Sequence, residues 1–406
     1  MPRLFGMFAL ASIALVAPLA AQPPKAAPPR VFQFDPADIA RVKDRIAAGD
    51  KELTAALADL VKQADKDLKA GPFSVVTNDK PHGPPSGDKH DYVSMAPYFW
   101  PDPDKKDGLP YLRKDGKINP EREKYDAPLL RKMTSAVWNL SLVYYLTGDE
   151  KYAAHAAKLL RVWFLDAETK MNPNLNYGQF VPGVNEGRGN GIIDTVALLK
   201  VVDAVGLLGG SKAWVKADQD GMESWLRDYL RWLRTSKHGK EEAAAANNHG
   251  TWYDVQVASF ALFVGDKVFA KQVIEEAKTK RIARQIEPDG RQPLELKRTK
   301  AFDYSRGNLE ALMALATLGD KLGVDLWRFE TKDGRGIRKA LDWLVPFATG
   351  EKKWEYEQLN GLQGGALAPL LRRAAVAYRE EAYEKTLASL PRKGAATMSL
   401  LYPGAW

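Results

Sequence analysis

Cysteine is missing from all 406 residues, which excludes disulfides, thiolate metal sites and a lipid-modified N-terminal cysteine. Histidine is scarce, with five in the chain, and no two stand at zinc-ligand spacing. His82 and His90 fall in an irregular polar stretch, His155 in an alanine-rich helical run, and His238 at the end of a basic helix, where a cation is favourable. No catalytic metal and no other cofactor is expected. Strand-like runs are few. Zinc-finger, RNP and glycine-rich phosphate motifs are absent, so nucleic acid is a poor candidate partner. The long apolar run, residues 4–16, is too short for a permanent membrane span. It follows Arg3 and leads to Ala20-Ala21-Gln22, the pattern of a cleaved leader. Residues 1–21 are therefore expected to be a signal peptide, residues 22–30 a flexible segment, and residues 31–406 one catalytic domain. The expected mature protein is periplasmic or secreted, with no membrane anchor.

What is present is basic charge and helical periodicity. Lysine and arginine outnumber aspartate and glutamate 59 to 51, a formal charge of +8, which favours a polyanionic partner. With export, that partner is expected to be an acidic polysaccharide. Apolar residues recur at helical spacing over residues 129–146, 152–165, 192–208, 222–233, 267–286, 337–347 and 367–390. Leu146-Thr147-Gly148-Asp149 separates the first two, with glycine placed to end one helix and aspartate to cap the next. Val264-Gly265-Asp266 and Leu318-Gly319-Asp320 repeat this punctuation. Helical hairpins that each bury one face must stack to complete a core. Their unequal lengths and the lack of a strict repeat favour a closed ring. The expected fold is all-α, an incomplete α/α toroid of about six or seven antiparallel hairpins. Residues 71–123 and 175–191 read as long functional loops, the first covering the mouth of the ring.

Asn247-Asn248-His249 with Trp252, followed by Arg298 and Tyr304, offers an amide, an imidazole, a guanidinium and a phenol. That set suits removal of a proton from the carbon beside a sugar carboxylate. Fixed donors take up the developing charge, and an imidazole or phenol moves the proton. Tyrosine, with an ordinary pKa of about 10, is a poor base unless cations lie close. Arg298, Lys297, Lys300 and Arg306 supply such cations, so the Tyr304 phenol is expected to be lowered. Six residues is not one-face helical spacing, so residues 298–307 are expected to form a loop leading into a helix at Asn308.

These motifs resemble those of the alginate lyase superfamily of α/α-toroid polysaccharide lyases. The likeness spans residues 90–310 and includes the loop from Tyr92 through Tyr98-Phe99-Trp100-Pro101 and the run Gly187-Arg188-Gly189-Asn190-Gly191. The resemblance implies β-elimination of a 1,4-linked polyuronate. It implies that Asn248 binds the uronate carboxylate with His249 and Arg298, and that Tyr304 lies near C5 and the glycosidic oxygen. Tyr304 would serve as both base and acid, or as acid with His249 the base. Where mannuronate lyases carry a tyrosine- and histidine-rich string, this chain has Asp303-Tyr304-Ser305-Arg306, so glucuronan fits as well as alginate. Substrate contacts are further expected from Asn247, which could equally cap a helix, and from Trp252, Tyr98, Trp100, Arg188, Gln179 and Arg306. Asp194 reads as structural. Two other functions are open to such a ring. One is a glycoside hydrolase pairing Glu186 with Asp303 or Glu295; the other is a non-catalytic binding protein for acidic glycans.

Overall fold

Aspartates start the first helices of the computed structural model, which describes residues 28–390 and 395–404. The expected leader, residues 1–21, lies outside the described residues. Asp35 caps α1 (Pro36–Ala47) through the Ala37 amide, with proline in the first turn, and Asp50 caps α2 (Lys51–Asp67) through Leu53. Neither helix is among the periodic runs expected from the sequence. Helix α3 (Asp126–Thr147) ends at Gly148 with φ 76°, and Asp149 caps α4 (Glu150–Leu160), as the punctuation predicts. The same device joins α8 (Asn248–Phe263) to α9 (Lys267–Ala277), where Gly265 has φ 88° and Asp266 caps through Phe269. The third instance behaves differently. The helix Ala301–Asp320 runs through Gly319, where a side chain would meet the Val324 carbonyl oxygen at 2.3 Å, so this glycine serves close packing.

Neighbouring helices pair: α1 with α2, α3 with α4, α8 with α9, Ala301–Asp320 with Ile337–Ala348, and Ala368–Tyr378 with Glu381–Ser389. The expected single helix 367–390 is thus two, broken where Arg379 adopts φ 54°. Inner contacts run from α2 to α3, from α3 to α5 (Leu198–Leu207), then to α8, Ala301–Asp320 and Ala368–Tyr378. The circle closes where Ala395–Leu401 packs on α2 and Arg373 lies 5.7 Å from the Tyr402 ring. Helix α8 is buried on almost every face, as an inner member of an α/α toroid must be, and so is the second half of α3, whose first half exposes Arg131, Lys132 and Ser135. One hydrophobic core extends from Val31 to Leu400.

Two loop segments form small sheets at one mouth. Strand β1 (Val93–Met95) runs parallel to β4 (Tyr177–Phe180), and β2 (Phe99–Trp100) is antiparallel to β3 (Leu112–Arg113). Asp194 ties the first sheet to the ring, accepting hydrogen bonds from Tyr92 (3.1 Å), Ser94 (2.6 Å) and Gln179 (3.1 Å). Gly178 and Gly191 let the β4 loop and the stretch Gly189–Ala197 touch. A side chain at Gly191 would lie 2.5 Å from the Gly178 carbonyl carbon and oxygen. No described helix is long and apolar enough to cross a membrane.

Candidate active site

The N-terminus of α8, the first turn of Ala301–Asp320 and the two loop sheets enclose a cavity of about 380 Å³. Its wall includes Asn247, Asn248, His249, Arg298, Tyr304, Tyr98, Arg188 and Gln179. It also includes Phe99, beside Tyr98 in the aromatic loop, and Arg113 and Asn190, which no sequence motif marks as ligands. Three guanidinium groups face this space, and none of the wall residues is an aspartate or glutamate. An anion entering it meets fixed donors and the positive end of a helix.

Each polar group is held from behind. Asn247 caps α8, its carboxamide oxygen accepting from the His249 amide at 3.3 Å. Asn248 donates its backbone N–H and its side-chain Nδ2 to the two oxygens of Glu295, each at 2.7 Å. Burial raises the Glu295 carboxyl, and the bonds from Asn248 pull it back only in part. The His249 Nδ1 lies 2.5 Å from Glu242 Oε1. Arg281, paired in the interior with Asp254, donates to the carbonyls of Ala243 and Ala245, while Gln285 donates to those of Ala246 and Asn247. These bonds fix the turn that delivers the Asn–Asn–His triplet to the cavity.

Tyr304 sits in a helix, not on the expected loop, because Ala301–Asp320 begins three residues before it. Its hydroxyl donates to the Tyr98 hydroxyl at 2.9 Å and accepts from Arg298 Nη2 at 2.9 Å. The guanidinium of Arg298 also covers the Tyr304 ring, 3.9 Å from its centre. The expected lowering of the phenol is reversed. Burial, then the bond with Tyr98, pushes Tyr304 well above the usual phenol range, and Arg298 opposes this without prevailing. Its charge is already spent on Asp115, which accepts from Arg298 at 3.0 and 2.8 Å. Partial burial would raise the Asp115 carboxyl, but Arg298 and Arg113 outweigh it and hold the group far below the carboxylate range.

Arg188 is placed otherwise. It donates to the Gln179 backbone and side-chain oxygens at 3.1 and 3.0 Å, lies 5.1 Å from the Phe99 ring centre, and forms no ion pair with a described residue. Burial, then the charge of Arg113, lowers its pKa, and the more distant carboxylates of Glu242 and Asp194 offset this only in part. Gln179 is held with φ 49°, a conformation costly for a residue with a side chain, and its own amide is tied to Ser94 at 2.8 Å.

Three expected substrate residues lie off the cavity wall. Trp100 donates its indole N–H to the Lys117 carbonyl and lies under Lys114. Trp252 is packed half-buried against the core, and Arg306 pairs with Glu310 one turn along its helix. None of the acids of a hydrolase lines the cavity either. Glu186 is exposed, Asp303 accepts from Gln358, and Glu295 is buried behind Asn248. Among the described residues no cluster of three histidine or acidic side chains forms a metal site.

The helical ring is the α/α toroid of a class of polysaccharide lyases. An alginate lyase from Bacteroides ovatus superimposes with a TM-score of 0.88 at 42% identity, covering 92% of this chain and 99% of that one. Alginate lyase A1-III from Sphingomonas species A1 has the same fold at 17% identity and a TM-score of 0.57, over 91% of this chain and 97% of its own. A histidine-to-alanine variant of A1-III complexed with tetrasaccharide matches at 16% identity and 0.58, over 94% and 98%. No curated protein matches the chain. Residues 75–354 match the family described as alginate lyase. The chain belongs to the alginate lyase family.

Proposed function

We propose that the protein cleaves a 1,4-linked polyuronate, of the alginate or glucuronan type, by β-elimination. The observation that carries this is the cavity itself. It gathers Asn248, His249, Arg298 and Tyr304 with two further arginines and no carboxylate in its wall. A uronate carboxylate there is neutralised by the Asn248 amide, held in place by Glu295, and by Arg188, which forms no ion pair with a described residue. Neutralising that carboxylate makes the C5 proton removable. The half-buried Tyr304 phenol stays protonated and serves as the acid toward the leaving C4 oxygen, with Arg298 and Tyr98 fixing its hydroxyl. His249 is the base. Tyr98 and Phe99 offer ring faces to the sugar.

The family membership and the 42% identical Bacteroides ovatus alginate lyase support this reading, as does a relative of the same fold complexed with tetrasaccharide. Mass spectrometry of digests of polymannuronate, polyguluronate and glucuronan tests it. Elimination yields fragments lighter by one water than hydrolysis products. Saturated fragments from every polymer would overturn the proposal. Residues 31–406 acting as one exported domain belong to the same proposal. The apolar run 4–16 before Ala20-Ala21-Gln22 and the continuous core support it. N-terminal sequencing of the exported protein should begin near residue 22, and a retained Met1 would contradict it.

A further inference from the structure

We propose that Glu242 is a positioning residue for His249, and that it fixes the imidazole as the Nδ1–H tautomer with its Nε2 lone pair offered to the cavity. This rests on the lyase reading above. Glu242 lies near the end of α7 (Lys237–Ala243), is 2% exposed, and places Oε1 2.5 Å from His249 Nδ1. Among the described residues no lysine or arginine stands at ion-pair distance from it, Arg188 acts on it only from further off, and His249 is its side-chain hydrogen-bond partner. A buried carboxylate left without a donor is strongly unfavourable. An ionised carboxylate only accepts, so Nδ1 must carry the hydrogen. The other ring nitrogen then keeps its lone pair.

The ring has little freedom to turn away. His249 sits in the first turn of α8, its amide bonded to the Asn247 cap. The preceding turn is held by Arg281 and Gln285. In the reaction the C5–H bond breaks and its proton goes to Nε2. The electron pair forms the C4=C5 double bond as the C4–O4 bond breaks, and O4 takes the proton of Tyr304. The imidazolium formed at His249 is stabilised through Nδ1–H by the Glu242 carboxylate. That interaction strengthens only as the proton transfers, so it acts on kcat more than on KM.

Two measurements test this on the whole protein. Nitrogen-15 NMR of the wild type at neutral pH, with the His249 signals assigned by loss in His249→Gln, should show a proton on Nδ1 and none on Nε2. The Glu242→Gln variant should lose about 10²- to 10⁴-fold in kcat, the usual worth of a positioned general base. Its KM should change within about threefold. Glu241→Gln, at the exposed neighbour that pairs with His238, should match wild type in both. A wild-type ring protonated on Nε2, alone or on both nitrogens, overturns the proposal. So does a folded Glu242→Gln variant with wild-type kcat. If Glu242→Gln fails to fold, the wild-type tautomer decides. Failure of the wild type to eliminate any polyuronate would refute the lyase reading, while the tautomer result is independent of it.

Discussion

A guanidinium shared between a carboxylate and a phenol cannot fully serve both. Arg298 gives Asp115 two hydrogen bonds and Tyr304 one, so Asp115 governs how far Arg298 can acidify the phenol. Asp115→Asn removes the competing charge and leaves Arg298 free to favour phenolate. The Tyr304 pKa is then expected to fall, and the alkaline limb of kcat/KM to move to lower pH. An unchanged limb would detach Asp115 from the phenol. The local motifs exposed His249 and Tyr304, since both lie in recognisable strings. Asp115 and Glu242 were not legible in the same way. Asp115 is 183 residues from Arg298 and meets it only because the turn just after β3 folds back onto the start of Ala301–Asp320. Glu242 reaches back to His249 only through the conformation of residues 244–247.

The elements around the cavity depend on backbone approaches that side chains would prevent. Adding a methyl at Gly191 would press on Gly178 backbone atoms 2.5 to 2.7 Å away, and backbone cannot step aside as a flexible side chain can. Gly191→Ala is expected to cost about 1–3 kcal/mol of stability. It should also raise KM by displacing Gln179 and Arg188, which adjoin Gly178. Urea unfolding with substrate titration checks both, and a variant with unchanged KM would show that β4 does not set the binding geometry. The glycine-rich string was visible in the sequence as a place of close approach, but its partner was not. Helix boundaries were legible where glycine and aspartate mark them, at Gly148-Asp149 and Gly265-Asp266. They were illegible at Ala301 and Arg379, where no such residue marks the change.

At the scale of the ring, Asp203 joins the N-terminal segment to α5 by accepting from the amides of Phe32 (2.6 Å) and Gln33 (3.1 Å). Burial, opposed by those two amides, raises its carboxyl to about 7. An unfolded aspartate titrates near about 3.9. The native state therefore holds this proton more tightly. The resulting stabilisation is complete below about pH 4 and is lost as pH rises through about 7. Asp203→Asn should flatten that part of the stability–pH curve, measured by urea unfolding at about pH 5 and about pH 8. An equally steep decline in the variant would assign the titration elsewhere. The toroid was legible from helical periodicity and from the scarcity of strands. Its closure through Ala395–Leu401 and Tyr402 was not, because contacts between the chain's two ends leave no local pattern.

The most direct test of the account is ultraviolet absorbance of the C4=C5 double bond during incubation with polymannuronate, polyguluronate or glucuronan. The wild type should generate that absorbance on at least one polymer. Tyr304→Phe should not generate it, although the variant should still bind the polymer. New reducing ends without absorbance, or full turnover by Tyr304→Phe, would contradict it.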